Sequence, residues 1–213
     1  MRVYHFLSAD HALDDISKRR IKIAQFQDLN DPFELLGTNL SDKIIRKAFR
    51  VFKKEMEQSY GILCFSRTMK NPVLWSHYAD KHRGMCLGFD VRDDTLKEVK
   101  YVSRRLVLKS LRNLTKGTAI KFLSTKYQGW SYEKEVRVFL SLEEKDKRNG
   151  FYFADFGDGI KLKEVLAGPV CKVKKKEITD SLRGYPESVQ VIKTRLAFQS
   201  FTVVENKKGF KGS

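Results

Sequence analysis

YGILCFSRTMKNPVLWSHYADKHRGMCLGFD, residues 60 to 90, is the stretch around which the rest of the chain is organised. Its apolar ends, Gly61 to Phe65 and Met85 to Phe89, have the length and composition of buried strands. Between them, Asn71 followed by Pro72 is typical of a helix start, with an asparagine cap and a proline in the first turn. The stretch therefore predicts the order strand, loop, helix, strand.

The predicted helix runs as far as Gly84, which can close it in the left-handed conformation. Trp75 and Tyr78 share one face at helical spacing, and His77 lies to the side. An aromatic stripe of this kind is more often core than binding site, and we assign Trp75 to the core. Filling volume requires neither an imidazole nor a phenol. His77 and Tyr78 are therefore equally open to a structural and a functional interpretation.

The composition predicts one domain and a polyanionic partner. The chain has 213 residues, 41% of them hydrophobic, which is enough for one sizeable core. We expect a single domain over residues 1–205, followed by a basic flexible tail over 206–213. Lysine and arginine number 42 against 26 acidic residues, a net charge of +16. This excess favours nucleic acid as the leading partner, although each basic cluster alone is usually only a solvated face.

The cysteines and the hydropathy indicate a soluble, cytoplasmic protein. Cys64, Cys86 and Cys171 lack the CxxC spacing of a zinc site and are interpreted as free thiols in a reducing compartment. The sequence has no apolar run of about 18 residues and no signal-peptide core at its beginning. We therefore expect no metal and no membrane association.

Several further elements follow from apolar periodicity. Helices are predicted over Ser41 to Gln58 and over Arg104 to Ser124, both with a basic outer face. The inward residues of the first helix are predicted to be Ile44, Ile45, Ala48, Phe52 and Met56. Further strands are predicted over 2–7, 151–155, 162–167, 188–194 and 196–204, and a helix over 174–183. The best fit is an α+β domain with a bent, mostly antiparallel sheet flanked by helices.

Three further places carry polar groups that could do chemistry. His5 lies on the first strand among buried neighbours, where a lone histidine is more often a satisfied core residue. Asn30 to Glu34 is a capped turn that could also receive a phosphate or a ribose. If Glu133 to Leu140 is extended, Glu133, Glu135 and Arg137 project to one face. Cross-strand salt bridges explain such a face, and so does a cleft in which a carboxylate stabilises positive charge.

Six short motifs occur in a fixed order along nearly the whole chain. They are Tyr4-His5-Phe6, Leu29-Asn30-Asp31-Pro32-Phe33-Glu34, Cys64-Phe65-Ser66, Trp75-Ser76-His77-Tyr78-Ala79 with Gly84, Trp130-Ser131-Tyr132-Glu133-Lys134-Glu135-Val136-Arg137, and Val165-Leu166-Ala167-Gly168-Pro169. This series resembles the motifs of the bacterial family labelled domain of unknown function 2971. The family label implies no activity.

The order of the motifs is also similar, more distantly, to that of ADP-ribosyltransferases. That superfamily has a histidine or arginine on its first strand, a serine or aromatic residue on the next, and a glutamate on a later one. The resemblance implies an ADP-ribosyltransferase-like fold with NAD as substrate. It implies that Glu135, His5 and Tyr78 are catalytic. The NAD-binding residues that it implies are Tyr4, His5, Asn30, Ser66, Trp75, His77, Tyr78, Glu133 and Arg137.

The implied chemistry is consistent with these residue types. Cleavage of the bond between nicotinamide and ribose leaves an oxocarbenium-like cation, which Glu135 would stabilise beside the 2′-hydroxyl. His5 would donate to ribose hydroxyls, and an aromatic ring stacked on nicotinamide would orient the bond. The acceptor is expected to be nucleic acid, with RNA favoured over DNA. A toxin or phage-defence role, with an antitoxin or chaperone as a second partner, follows only from what such families often do.

Two other functions stay open at this point. One is a non-catalytic module that binds nucleic acid or a partner protein. The other is a metal-dependent nuclease, for which Asp31, Glu34, Glu133 and Glu135 could supply ligands, although no spacing demands it.

Overall fold

The computed structural model describes residues 1–31, 33, 37–108, 115–143 and 147–210. The strands in this part of the chain are β1 Arg2–Leu7, β2 Arg20–Lys22, β3 Tyr60–Ser66, β4 Met85–Val91, β5 Lys97–Glu98, β6 Lys100–Val102, β7 Thr125–Tyr127, β8 Glu135–Ser141, β9 Lys147–Arg148, β10 Phe151–Asp155, β11 Ile160–Ala167, β12 Gln190–Leu196 and β13 Val203–Glu205. The helices are α1 Ala9–Ser17, α2 Lys43–Ser59, α3 Pro72–Tyr78, α4 Lys116–Leu123 and α5 Lys175–Ser181.

One eight-stranded sheet runs through the domain in the order β13-β12-β11-β4-β1-β3-β8-β5. Its neighbouring strands are antiparallel except β11 and β12, which are parallel. Two smaller sheets, β2-β10-β9 and β6-β7, complete the described strands. The predicted α+β class with a mostly antiparallel sheet is confirmed. The finer prediction of an ADP-ribosyltransferase-like fold stays a prediction.

The large sheet parts in its middle, between β1 and β3. β1 is in register with β4 over six residue pairs, and β3 with β8 over seven. Between β1 and β3 the register contains the single pair Tyr4 and Ser66. Strands that share so short a ladder can diverge, because few hydrogen bonds hold them 4.8 Å apart along their length. A cleft therefore opens beside the remaining residues of β1.

The stretch from 60 to 90 folds in the predicted order. The Asn71 side chain caps α3 by accepting a hydrogen bond from the backbone N–H of Val73, at 2.9 Å. Trp75 is fully buried, as assigned, and its indole N–H donates to the carbonyl of Met69. These are local signals, and the sequence shows them directly.

The end of α3 differs from the prediction. The helix stops at Tyr78, and the left-handed residues are Asp80, Lys81 and His82, with φ of 42°, 51° and 69°. Gly84 serves another purpose, because a Cβ there would lie 2.2 Å from the carbonyl oxygen of Leu7. The chain must turn sharply after α3 to enter β4 directly beside β1, and this close passage requires glycine.

Two predicted helices are wrong in detail. In α2, Ile44 is 70% exposed, whereas Phe49 is buried and packs on Phe122 of α4. Ile45, Phe52 and Met56 pack against the core as predicted, so the prediction is wrong at Ile44 and omits Phe49. Residues 104–108 are not helical, because Leu106 pairs with Thr38 in an isolated bridge. α4 begins only at Lys116, and 109–114 lie outside the described residues.

Two features near the end of the chain also depart from the predictions. The strand expected over 196–204 is interrupted, since β12 ends at Leu196 and β13 begins at Val203. The first part of the predicted tail is attached to the domain, because Asn206 donates from its backbone to the carbonyl of Lys193 and Phe210 packs against the main core. Residues 211–213 lie outside the described residues. No helix in the described ranges is long and apolar enough to cross a membrane.

We expect Gly84→Ala to lower the free energy of unfolding by about 2 kcal/mol or more, because the methyl group meets backbone atoms that cannot move aside. Urea denaturation followed by circular dichroism measures the change. Gly157→Ala is the matched control, since a Cβ there has no neighbour within 4 Å. Equal stability of the two variants would contradict the close-approach explanation.

Candidate functional site

A cavity of about 630 Å³ lies where β1 and β3 part. Nine of the predicted site residues line it: Tyr4, His5, Asn30, Ser66, His77, Tyr78, Glu133, Glu135 and Arg137. Trp75 does not, because it is fully buried in the core behind α3. The structure thus brings together side chains that are far apart in the sequence, from Tyr4 to Arg137.

His5 fills the gap between the diverging strands. Its Nδ1 lies 3.0 Å from the backbone carbonyl oxygen of Cys64. A carbonyl can only accept, so Nδ1 carries the proton and Nε2 of the neutral ring is an acceptor. Burial lowers the pKa of His5 and outweighs the opposing effect of that hydrogen bond. The expectation that His5 donates to ribose hydroxyls is therefore corrected: at neutral pH its second nitrogen can accept from one.

Ser66 is committed to the backbone. Its hydroxyl lies 2.6 Å from the carbonyl oxygen of Glu133 and 3.0 Å from that of Thr68, and it accepts from the backbone N–H of Thr68. These contacts fix the loop after β3 against the turn that carries Glu133. Ser66 lines the cavity, but its hydroxyl serves mainly to position Glu133.

Glu133 and Glu135 meet although they do not share a strand. Glu133 ends a 3₁₀ turn, Lys134 is left-handed with φ of 46°, and β8 begins only at Glu135. The extended segment predicted from Glu133 is therefore wrong at its first two residues. The kink at Lys134 nevertheless directs both carboxylates toward one buried ammonium, that of Lys126.

Lys126 is the site residue that sequence reasoning missed. Its Nζ lies 2.7 Å from Oε2 of Glu133 and 3.3 Å from Oε2 of Glu135, and its side chain is buried. The ammonium also lies 4.9 Å from the ring centre of Trp130. Lys126 falls between two predicted elements, and in a chain with 42 basic residues one lysine does not stand out. The available signal was its closeness in sequence to the Trp130–Glu135 motif.

Arg137 holds Glu135 from the opposite side. Its Nε lies 2.7 Å from Oε1 of Glu135 and its Nη2 lies 3.0 Å from Oε2, while Nη1 donates to the carbonyl of Leu123. Arg137 is only 1% exposed. Burial alone would raise the pKa of Glu135, but the guanidinium of Arg137 and then the ammonium of Lys126 lower it to about 2. Glu135 is thus a carboxylate at every physiological pH.

Tyr78 joins the network through Glu133. Its hydroxyl donates to Oε1 of Glu133 at 2.5 Å and accepts from the side-chain amide of Asn30 at 2.8 Å. Burial, followed by the hydrogen bond to Glu133, raises the pKa of Tyr78, so the phenol stays neutral. At the rim, Nδ1 of His77 lies 3.2 Å from the hydroxyl of Tyr132.

The charges of this network cancel. Two carboxylates, Glu133 and Glu135, face two cations, Lys126 and Arg137, and each carboxylate oxygen has a donor. These glutamates form ion pairs, but not the predicted cross-strand pairs, because Arg137 lies on the same strand as Glu135 and Glu133 precedes that strand. They also line the cavity, and the stabilisation of positive charge there stays a prediction. Among the described residues, no cluster of three or more histidine, cysteine, aspartate or glutamate side chains is arranged to hold a metal.

The Asn30 to Glu34 corner is described only in part. Asn30 lines the cavity, and Asp31 is buried and accepts from the backbone N–H of Phe33. Pro32 and Glu34 lie outside the described residues.

Comparison of the chain with family models, with curated proteins and with solved structures finds no match. The family resemblance of the motifs therefore stays a prediction.

We expect the stabilising effect of Glu135 to depend on pH in a defined direction. Its pKa falls from 4.5 to about 2 on folding, so its contribution is complete above about pH 5 and is lost as the pH falls toward 2. At pH 7, Glu135→Gln should cost on the order of 3 kcal/mol of unfolding free energy, and the difference from wild type should shrink in acid.

Chemical denaturation at several pH values measures this difference. Glu98→Gln is the matched control, because Glu98 also pairs with an arginine, Arg67, but on the exposed surface. A difference for Glu135→Gln that stays constant between pH 7 and pH 3 would contradict the depressed pKa.

Proposed function

We propose that this chain is an ADP-ribosyltransferase that binds NAD in the cavity between β1 and β3. One observation carries the proposal: His5, Ser66 and Glu135, on three adjacent strands, line a single cavity. The register supports it, because Ser66 lies opposite Tyr4 on one side and opposite Glu135 on the other. A histidine, a serine and a glutamate thus follow one another across β1, β3 and β8, in the order that the motif resemblance implies.

The size and lining of the cavity fit such a ligand. Its volume of about 630 Å³ lies within the range of small-molecule sites. Phe6, Phe65 and Leu74 supply apolar wall, and Tyr4 and Tyr78 supply aromatic rings. A nicotinamide ring needs flat apolar neighbours, and a ribose needs hydrogen-bond acceptors. Nε2 of His5 and the carboxylates of Glu133 and Glu135 are such acceptors.

The proposed reaction breaks the bond between the anomeric carbon of the ribose and the nicotinamide nitrogen. Nicotinamide leaves with the electron pair of that bond, an acceptor atom supplies the pair that forms the new one, and a proton carried by that atom is released to solvent. Glu135, which is ionised throughout, accepts a hydrogen bond from the 2′-hydroxyl and stabilises the positive charge that develops on the ribose. Arg137 and Lys126 use three of about four acceptor positions on its carboxylate, and the thiol of Cys64 is a further, weak donor that the 2′-hydroxyl would replace.

Movement of the Lys126 ammonium away from Glu133 and Glu135 would give this network a net negative charge. An ammonium on a flexible stem can turn to a new anion, whereas Arg137 is fixed by three hydrogen bonds. We infer that the diphosphate of NAD attracts Lys126 and leaves two carboxylates against one guanidinium. The site would then carry one net negative charge beside the developing ribosyl cation.

The acceptor is proposed to be nucleic acid, with RNA favoured over DNA. The net charge of +16 favours attraction to polyanions. A role as a toxin or phage-defence effector, silenced by an antitoxin or chaperone, extends this proposal and follows from the resemblance only.

One observation favours a second candidate, a module that binds nucleic acid without turnover. The two glutamates are already fully paired with cations, as in a structural network that rigidifies a core. This candidate and the first agree on the partner and differ on NAD. A transfer assay therefore separates them.

We expect NAD labelled in its adenylate part to label total RNA in the presence of the protein. Glu135→Gln and Glu133→Gln should each reduce the rate at least about 100-fold, because each removes a carboxylate from the developing charge. Tyr78→Phe should reduce it about tenfold, since Glu133 loses its phenol donor. Tyr127→Phe, which changes an exposed tyrosine outside the cavity, should leave the rate unchanged.

The assay also contains DNA and protein as acceptors, and circular dichroism confirms that each variant is folded. Label on RNA that disappears in both glutamate variants supports the transferase. Tight RNA binding with no transfer to any acceptor and no detectable NAD binding would contradict the transferase and support the binding module.

For Lys126 we expect Lys126→Gln to weaken NAD binding about tenfold and to leave the binding of nicotinamide riboside, which has no diphosphate, nearly unchanged. Isothermal titration calorimetry measures both. A parallel loss for the two ligands would show that Lys126 only supports the fold of the site.

A further inference from the structure

The segment between β12 and β13 presents two phenylalanines to solvent. Phe198 is 90% exposed and Phe201 is 97% exposed. Single exposed apolar residues are common, but two aromatic rings on one short loop are a costly surface for an isolated domain. The exposed rings therefore indicate that a ligand covers this loop.

The loop is well structured. β12 and β13 pair from Thr194 with Glu205 to Leu196 with Val203. The backbone N–H of Ala197 donates to the carbonyl of Thr202 at 2.9 Å and closes the loop. The hydroxyls of Ser200 and Thr202 lie 2.7 Å apart inside it. Because the rings are presented by an ordered hairpin, little conformational freedom is lost when a ligand covers them.

Positive charge accompanies the rings. The guanidinium carbon of Arg195 lies 4.3 Å from the ring centre of Phe198, so a cation is stacked on one of the two aromatic residues. Residues 193–208 contain four basic residues and one acidic residue, a net charge of +3. Planar rings with cations beside them match single-stranded nucleic acid, whose bases stack and whose phosphates are anionic.

The loop is also connected to the cavity. The backbone N–H of Val203 donates to the carbonyl of Lys70, in the segment that links Ser66 to α3. One residue further on, the side-chain amide of Asn71 donates to the carbonyl of Tyr132. Tyr132 contacts His77, which lines the cavity, and packs against the ring of Trp130. A series of contacts thus runs from the loop through Lys70, Asn71 and Tyr132 to His77 at the cavity rim.

We propose that the loop of residues 197–202 is a docking site for single-stranded nucleic acid, whose bases stack on Phe198 and Phe201 while Arg195 contacts a phosphate. The inference rests on the proposed function in one respect, since it assigns this nucleic acid as the acceptor that reaches the cavity. The binding itself needs no NAD. It can therefore be tested apart from any transfer reaction.

The experiment measures the fluorescence anisotropy of a labelled, unstructured RNA of about twelve nucleotides, without NAD. The double variant Phe198→Ala/Phe201→Ala should raise the dissociation constant at least about tenfold, and a DNA of the same sequence should be affected likewise. Both side chains are exposed, so the fold should be retained. Arg195→Gln should weaken binding to all sequences alike and reduce its dependence on salt.

The matched control is Phe151→Ala. Phe151 is also exposed and also has a lysine ammonium over its ring, Lys22 at 4.4 Å, but it lies on β10 in a different sheet. Its removal should leave RNA binding unchanged. If both phenylalanine variants weaken binding equally, general loss of surface aromatics explains the effect and the inference is overturned.

A second arm uses vesicles that contain anionic lipid, because exposed phenylalanines beside cations can also enter a membrane surface. Loss of vesicle binding in the double variant with unchanged RNA binding overturns the inference. Weakened RNA binding in a protein that transfers no label supports the docking site and counts only against the transferase. Unchanged RNA binding and transfer in the double variant counts only against the docking site.

Discussion

The buried pairing of Arg137 with Glu135 is the interaction on which the site depends. A guanidinium with almost no exposure is tolerated because each of its three nitrogens donates a hydrogen bond, two to the carboxylate oxygens of Glu135 and one to the carbonyl of Leu123. Removing either partner would leave an uncompensated charge inside the protein, which is far more costly than the pair itself is stabilising. The same pair fixes Glu135 as an anion at the edge of the cavity. Stability and proposed chemistry thus share one contact.

The parting of β1 and β3 gives this pair a space to face. A continuous ladder at this position would have filled the interior with paired backbone, and His5 would have been an ordinary core residue. Because the ladder is reduced to Tyr4 and Ser66, the imidazole satisfies the carbonyl of Cys64 and keeps one nitrogen for other partners. An interruption in the sheet is therefore what converts a buried histidine into a cavity-lining one.

Local signals in the sequence predicted much of this structure. Asn71 with Pro72 located the start of α3, and apolar runs located β1, β3 and β4, because caps and strand patterns depend on neighbours in the chain. The requirement for glycine at position 84 comes from the carbonyl of Leu7, which is 77 positions away and contacts it only in the folded state. Local patterns hold no trace of such an encounter.

The site was predictable to a similar degree. The order of the motifs identified most of the residues that line the cavity, because it was compared with the order of functional residues in a known superfamily. Lys126 was missed because its importance comes from two carboxylates supplied by another element. The kink at Lys134 was missed because alternation alone cannot distinguish an extended Glu133 from one that ends a 3₁₀ turn.

Because the buried charges of the network balance one another, electrostatic attraction acts differently far from the protein and at the site. Far from the protein, the uncompensated lysines and arginines of the surface act together, and their pull weakens over a Debye length of about 8 Å in physiological salt. In the buried network beside the cavity, the two carboxylates of Glu133 and Glu135 are balanced by Lys126 and Arg137. Ionic strength should thus govern how often a polyanion arrives, while shape and hydrogen bonding govern what enters.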